Sequence, residues 1–349
     1  MMQKPVQTQG RIVPVLLVFL NVVLPGACQS TQGPSEAGEF KAAVVGTLKP
    51  GEPFVVAVAA GQARPGQSPV VNAGLAGQAG TDAAGSGAAE PRMRAVLFRG
   101  ETQLGRAQFF DLGELSRRGP VWTAAMAVPS TVGAGAAQLR VEQNGRTLAV
   151  LDVVIEERQF LTETFPITGA MVNILAPDPE KTRQAEQLWA ILARTGNDIY
   201  TLGEFIMPVK STVQTSRFGS RRVYRYPNGR TSTSIHAGVD WRAPTGTPIS
   251  ACAPGRVVMA RSRIVTGNTV VIEHMPGVYS LYYHMDRIDV AEGDMVQTGT
   301  RLGDAGATGF ATGAHLHWEL RVATENTDPA SLLGRKLLDK DAILRILNE

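Results

Sequence analysis

The sequence predicts a mainly β protein: a small β-sandwich, a connecting helix, and a C-terminal antiparallel β-sheet domain with a narrow groove. Three observations predict it. Short runs rich in alternating, β-branched or aromatic residues recur along most of the chain, and turn residues separate them. The connections beyond Phe205 are too short for helical crossovers, so the sheet they join is expected to be antiparallel. Helical periodicity is confined to one stretch after Asp178 and another at the C-terminal end. With 349 residues the chain has room for about two cores, and its 44% hydrophobic and 19% charged content is ordinary for a folded soluble protein.

Residues 1–27 have the layout of a secretory signal. Lys4 and Arg11 lie in a basic opening, an apolar run extends from Ile12 to Leu24, and Pro25, Gly26 and Ala27 precede Cys28. The run is short for a membrane span. A small residue directly before a cysteine resembles a bacterial lipobox, with Pro25 where that pattern usually has Leu. The resemblance implies a lipid on Cys28 that holds the protein to a membrane of the bacterial cell envelope; plain secretion after Ala27 and an uncleaved anchor are the alternatives. The net charge of +3 falls to about +1 without Lys4 and Arg11, so nothing asks for nucleic acid. Cys28 and Cys252 are the only cysteines, which excludes a disulfide framework, and Cys252 reads as a small buried hydrophobe.

Residues 28–39 are polar and read as a tether. The sandwich is expected over 40–160, with strands at 40–48, 53–60, 93–98, 121–128, 138–143 and 147–155; Asn144-Gly145 between the last two is a two-residue hairpin signal. The segment 61–90 interrupts it. Half of its thirty residues are Gly or Ala, too little bulky apolar surface to offset ordering, so it is expected to be a disordered insert. No chemistry attaches to this domain, which has no His and no Cys. Residues 161–205 are expected to be a helical connector laid between the domains: Asp178 is an N-cap, Pro179 opens the helix, Ala185, Leu188, Trp189, Ile191 and Leu192 form its apolar stripe, and Gly196 stops it. The second domain covers 206–330, with strands at 256–260, 268–274, 278–284, 301–304 and 315–322. In the last segment, 331–349, a helix at 339–347 carries Ile343, Leu344 and Leu347 on one side to pack back on that domain.

All five histidines, His236, His274, His284, His315 and His317, fall within residues 236–317. Side chains alternate faces along a strand, so His315 and His317 point the same way. His236 and Asp240 would stand about 13 Å apart in a straight strand, so the chain must bend between them, and Gly238 is the residue to tolerate the bend. Two imidazoles and a carboxylate with an open fourth position make a catalytic zinc site; structural sites close all four positions, usually with cysteine. A third imidazole is left beside the metal.

Residues from about 213 to 322 resemble the lysostaphin-type zinc endopeptidases of peptidoglycan. The resemblance runs through Phe218-Gly219-Ser220-Arg221, His236-Ala237-Gly238-Val239-Asp240, Gly246-Thr247-Pro248-Ile249, Gly267-Asn268 ahead of His274, Tyr282-Tyr283-His284, and Gly313-Ala314-His315-Leu316-His317-Trp318-Glu319. It implies Zn2+ on His236, Asp240 and His317, with His284 and His315 as the catalytic pair that does not bind metal. It further implies an enzyme that cuts peptide stems or cross-links of peptidoglycan. Among Arg217, Arg221, Arg222, Arg225 and Arg230, Arg221 is the candidate to face a substrate carboxylate, against the plainer reading of a solvated strand face; Tyr282 is a second substrate-binding candidate. His274 is expected in a structural role beside a turn. Gly303, Gly306, Gly309 and Gly313 lack the Lys-Ser or Lys-Thr of a phosphate loop and are expected to thin the groove wall. Two rival readings have other consequences: a non-catalytic regulator that binds and activates other wall hydrolases, and a wall-binding structural lipoprotein. The expected partners are peptidoglycan, the membrane through Cys28, and a regulatory protein.

Overall fold

The computed structural model describes residues 29–31, 40–60, 93–113, 119–167, 169–194 and 196–348. The signal segment, Cys28 and the insert at 61–90 lie outside the described residues. The described chain is mostly strand, as expected.

The N-terminal region contains β1 (Gln29–Thr31), β2 (Phe40–Val45), β3 (Pro53–Ala60), β4 (Arg94–Arg99), β5 (Thr102–Gln108), β6 (Phe110–Asp111), β7 (Val121–Ala127), β8 (Gly135–Gln143) and β9 (Arg146–Ile155). They form two sheets in the orders β1-β2-β3-β7-β6 and β5-β4-β8-β9. Val44, Phe54, Val56 and Val58 of the first meet Leu97, Leu139, Val141 and Leu151 of the second in one core. Asn144 and Gly145 turn β8 into β9 at φ 53° and 77°, the left-handed pair that a tight hairpin requires. Gln29–Thr31, expected in the tether, instead pairs antiparallel with β2, using backbone groups that an open sheet edge would leave unpaired.

The first sheet is buried on both faces. Val55, Ala57, Val121, Ala125 and Ala127 point away from the sandwich into a second core that holds Phe205, Phe218, Val239 and Leu316 of the C-terminal region. Every residue of β7 is buried, as in a strand covered from both sides. The helices are α1 (Gly169–Leu175), α2 (Pro179–Leu192) and α3 (Lys340–Asn348), and the terminal helix α3 joins that core. Asp339 caps α3 by accepting from the backbone N–H of Asp341 and Ala342 at 3.1 Å each. Ile343, Ile346 and Leu347 then fill the seam against β2 and β3, whereas the expectation was packing on the C-terminal domain alone. Leu344 is only partly buried.

The connector departs from its expected helical character. It opens with β10 (Thr162–Pro166) and continues through α1 and α2. The Asp178 carboxylate caps α2 through the N–H of Glu180 at 2.7 Å. Leu188, Ile191 and Leu192 pack on Met259, Val271, Tyr279 and Leu281, so the helix covers the outer face of the C-terminal sheet rather than lying between domains. Trp189 leaves the expected stripe: about 100° around the helix from Leu188, it is 53% exposed.

The C-terminal strands are β11 (Gln214–Ser216), β12 (Arg221–Arg225), β13 (Thr231–Ile235), β14 (Val239–Arg242), β15 (Pro248–Ser250), β16 (Gly255–Arg263), β17 (Gly267–Met275), β18 (Val278–Ile288), β19 (Met295–Val296), β20 (Arg301–Ala305), β21 (His315–Val322) and β22 (Glu325–Thr327). Ten of them form one antiparallel sheet along the path β11-β14-β21-β18-β17-β16-β19, with β15, β20 and β22 off this path. The other two, β12 and β13, join β10 in a small sheet where β10 runs parallel to β12.

Candidate metal centre and histidine pair

Pairing register places the site. β14 lies antiparallel to β21 with Asp240 opposite His317 and Arg242 opposite His315. On the other side of β21, Tyr283 of β18 stands opposite His317, and their rings stack at 5.3 Å between centroids. The bend expected between His236 and Asp240 is present, but glycine serves it by close approach rather than by φ. A Cβ on Gly238 would sit 2.2 Å from the Trp318 carbonyl oxygen. The chain is thereby pressed onto β21, and His236 Nε2 comes within 3.1 Å of Asp240 Oδ1.

Three ligand atoms converge: His236 Nε2, Asp240 Oδ1 and His317 Nδ1. Their separations are 2.7 Å from Oδ1 to His317, 3.0 Å between the imidazole nitrogens, and 3.1 Å from Oδ1 to His236. Ligands around a tetrahedral ion at about 2.0–2.1 Å stand about 3.3 Å apart, close to these values. The other nitrogen of each ring already has an acceptor. His236 Nδ1 donates to the Arg217 carbonyl at 2.8 Å, and His317 Nε2 donates to Glu319 at 3.1 Å. With those protons so placed, three lone pairs face one small volume and nothing between them donates. That arrangement fits a cation. Glu319 is itself held by Arg321, at 2.9 Å from Nε and 2.8 Å from Nη2. A carboxylate placed behind an imidazole in this way fixes its tautomer and ring orientation.

Without a cation the cluster is expected to take up a proton. Burial disfavours charge on His317, but hydrogen bonds with Asp240 and Glu319 outweigh it and raise its pKa to about 9. Burial likewise pulls Asp240 up, yet the two imidazoles hold it well below the usual carboxylate range. Below pH about 9 the free site therefore carries a proton that an incoming cation must displace, so apparent affinity should fall by about tenfold per unit as pH drops from 9. Titration calorimetry at pH 7 in buffers of different ionisation enthalpy should find about one proton released per cation bound. Release of none would contradict this account of the cluster.

His284 and His315 flank the three. Each donates Nδ1–H to a backbone carbonyl, of Thr308 and Gly313 respectively, at 2.8 Å, which leaves Nε2 as the unprotonated nitrogen. Their rings are 4.9 Å apart, and His315 Nε2 is 3.7 Å from Asp240 Oδ1, outside the tight triangle. Burial, then the neighbouring His317 and His315, push the His284 pKa down to about 3, so it is neutral across the physiological range. His284 also adopts φ 60°, a left-handed conformation uncommon outside glycine; such strain gathers at functional sites.

Both substrate-binding candidates require correction. Arg221 is spent on the protein itself: it donates to the Gly219 carbonyl at 2.9 Å and the Ser130 carbonyl at 2.7 Å, and its guanidinium lies over Phe160. It ties the sandwich to the C-terminal region. Tyr282 is fully buried, with its hydroxyl accepting from Cys252 N at 3.0 Å and from Ser280 at 3.0 Å. His274 is buried near the end of β17, just before the turn at Pro276-Gly277, where Nδ1 donates to the Pro254 carbonyl and Nε2 meets Ser280, both at 2.7 Å. Cys252 is buried beside it, as expected, and burial pushes its thiol up to about 11. Sequence reasoning missed Glu319, Tyr283 and Arg222, the last donating to Asp240 Oδ2 at 2.8 Å. Glu319 had a signal, since a carboxylate two residues after His317 in a strand shares its face.

Residues 234–329 match the sequence profile of Peptidase family M23. Over 127 residues, 36% of this chain, it is 37% identical to the DD-carboxypeptidase/endopeptidase Mpg of Neisseria meningitidis, covering 28% of that protein. Over 108 residues, 31% of this chain, it is 39% identical to the peptidoglycan DD-endopeptidase ShyA of Vibrio cholerae, covering 24% of that protein. The chain thus spans under a third of the length of these relatives. A solved structure of a candidate M23 peptidase from Pseudomonas aeruginosa superposes with TM-score 0.50 at 24% identity, over 70% of this chain and 88% of the other, which shows a shared fold.

Proposed function

We propose, for a chain whose residues 234–329 are a peptidase family M23 domain, a zinc-dependent endopeptidase that cuts peptide stems or cross-links of bacterial peptidoglycan. One observation carries the reading: three possible ligand atoms converge beside two imidazoles whose Nδ1–H groups are bonded to backbone carbonyls, which leaves Nε2 for the reaction. Two nitrogens and one carboxylate oxygen, with no thiolate, suit a catalytic zinc that keeps an open position. Relatives named for peptidoglycan DD-endopeptidase activity support the substrate class.

His236, Asp240 and His317 would hold the ion. When bound, zinc lowers the pKa of a water towards about 7 and polarises the carbonyl to be attacked. His284 or His315 takes the water proton at Nε2 and delivers it to the leaving amine nitrogen. The other, once it has taken up a proton from solvent at Nε2 and become an imidazolium, donates to the developing oxyanion. The hydrogen bonds from Nδ1 to Thr308 and Gly313 fix each ring's orientation and leave Nε2 as the nitrogen that gains or loses the proton. Mass spectrometry of fragments released when the mature protein meets purified sacculi tests the proposal and names the bond. Release of fragments with newly formed amine termini is expected; intact sacculi under zinc-replete conditions would overturn it.

A place in the cell envelope and a lipid on Cys28 are part of the same proposal and are supported by the leader sequence alone. One acyl chain binds a bilayer only marginally, so more than one is expected. Labelled fatty acid should enter the wild type and not Cys28→Ser; equal labelling of both, or of neither, would remove the lipid from the account.

A further inference from the structure

Nothing within residues 234–329 holds the second oxygen of Asp240. While Oδ1 faces the two imidazoles, Oδ2 accepts from Arg222 Nη2 at 2.8 Å. The same Nη2 donates to Ser216 Oγ at 3.0 Å, and the Ser216 hydroxyl donates onward to Glu163 Oε2 at 2.9 Å. Donor and acceptor roles agree at each step: a guanidinium only donates, a hydroxyl accepts and donates, and carboxylates terminate both ends. Arg222 Nε has no hydrogen-bond partner among the described residues and faces Glu163 Oε2 at 3.9 Å, where the carboxylate acts on it by charge. Four strands supply the chain. Ser216 of β11 lies opposite Asp240 of β14, and Glu163 of β10 lies opposite Arg222 of β12. Arg222 and Asp240 are only 18% and 11% exposed at their side chains, so water competes little for their contact.

We propose that Arg222 and Glu163 are positioning residues for the metal centre: Arg222 engages Oδ2 so that Oδ1 alone is offered as ligand, and Glu163, delivered by the connector strand β10, holds Arg222 in that pose. The inference rests on the metal-binding reading of His236, Asp240 and His317. Both imidazole ligands are already oriented by bonds at their second nitrogen. Asp240 is the ligand whose second atom is held by a charged side chain from outside the matched segment, whereas His236 is oriented by the Arg217 backbone carbonyl. Freed from Arg222, its carboxylate can rotate to offer both oxygens or swing away.

Charge and orientation predict opposite signs, which makes the idea testable. Removing a cation beside the metal should tighten binding if charge alone matters. If orientation dominates, Arg222→Ala should weaken zinc binding by about tenfold or more, the scale for loss of a group that orients a ligand. Arg222→Lys keeps the charge without the fork and should fall between. Glu163→Gln, isosteric and on a partly exposed strand, should weaken zinc by about threefold and add nothing in the Arg222→Ala background, since it acts through that residue. The experiment titrates zinc into the full chain against a chromophoric chelator, with absorption spectra of the cobalt-loaded proteins alongside. The expected results are these losses, their non-additivity, and weaker cobalt bands in Arg222→Ala as a second carboxylate oxygen joins the ion. Unchanged or tighter zinc binding in Arg222→Ala overturns the role of Arg222, and additive losses overturn the route from Glu163. Wild type that binds no zinc would instead defeat the metal-centre reading itself.

Discussion

Asp240→Ala and His317→Ala are each expected to retain less than roughly a tenth of the zinc that the wild type keeps after dialysis, because three protein ligands leave none to spare. His315 is the nearest imidazole to take over, but its Nδ1 is bonded to the Gly313 carbonyl and its Nε2 stands 3.7 Å from Asp240 Oδ1. Asp240→Ala also takes from Arg222 its nearer carboxylate, at 2.8 Å, and leaves it Glu163 at 3.9 Å, a partial loss of pairing that lowers stability. His317→Ala avoids that cost, since Asp240 remains with Arg222. Metal analysis beside a thermal melt for each variant separates loss of the ion from loss of the fold. Full zinc in both variants, with both folded, would show that the metal sits elsewhere.

His284→Ala and His315→Ala should behave in the opposite way, keeping zinc and losing about 100-fold or more in turnover, the scale for removing a positioned acid, base or oxyanion donor. The two pairs of variants divide residues that are chemically alike and, for His315 and His317, two positions apart. The geometric reason is that His317 Nδ1 lies 2.7 Å from Asp240 Oδ1 while His284 and His315 stand outside the triangle with Nε2 unprotonated. Since Ala retains the left-handed strain that His284 bears at φ 60°, His284→Ala is a test of chemistry more than of backbone. Rates of wall cleavage and zinc content would be read on the same preparations. Metal lost from His315→Ala and kept by His317→Ala would reverse the assignment, and near-normal cleavage by both His284→Ala and His315→Ala would defeat the mechanism.

The convergence of the candidate ligands was legible because local spacing decides it: alternation puts His315 and His317 on one face, and the bend at Gly238 follows from ordinary strand length. The antiparallel sheet followed from short connections, and the hairpin at Asn144-Gly145 from its dipeptide. The surroundings of the two substrate-binding candidates depend on strand parity, which the sequence does not fix. Arg221 and Arg222 are adjacent, so they point to opposite faces, and only the pairing of β12 with β10 and β13 fixes which one reaches Asp240. Tyr282 was a candidate on its place in the motif that ends at His284. The positive φ of His284 and the register shift between Asn268 and Val270 interrupt simple alternation, so Tyr283 meets His317 and Tyr282 enters the core. The core shared between the two regions left a trace that was read too narrowly. The run Pro53–Ala60 has no polar residue at any position, which marks a strand buried on both faces, whereas a two-layer sandwich would cover only one. The placement of α3 depends on that second face and was not accessible from its own periodicity.

The central claim is that this cluster is a zinc centre that hydrolyses wall peptides. Its most direct test follows the release of new amine termini from purified sacculi by the mature protein, first after exhaustive chelation and then with zinc added back, beside His317→Ala treated identically. The account predicts no release by the chelated wild type, recovery near about one zinc per chain, and no recovery in His317→Ala. Release that persists through chelation, or that zinc restores equally to His317→Ala, would contradict it.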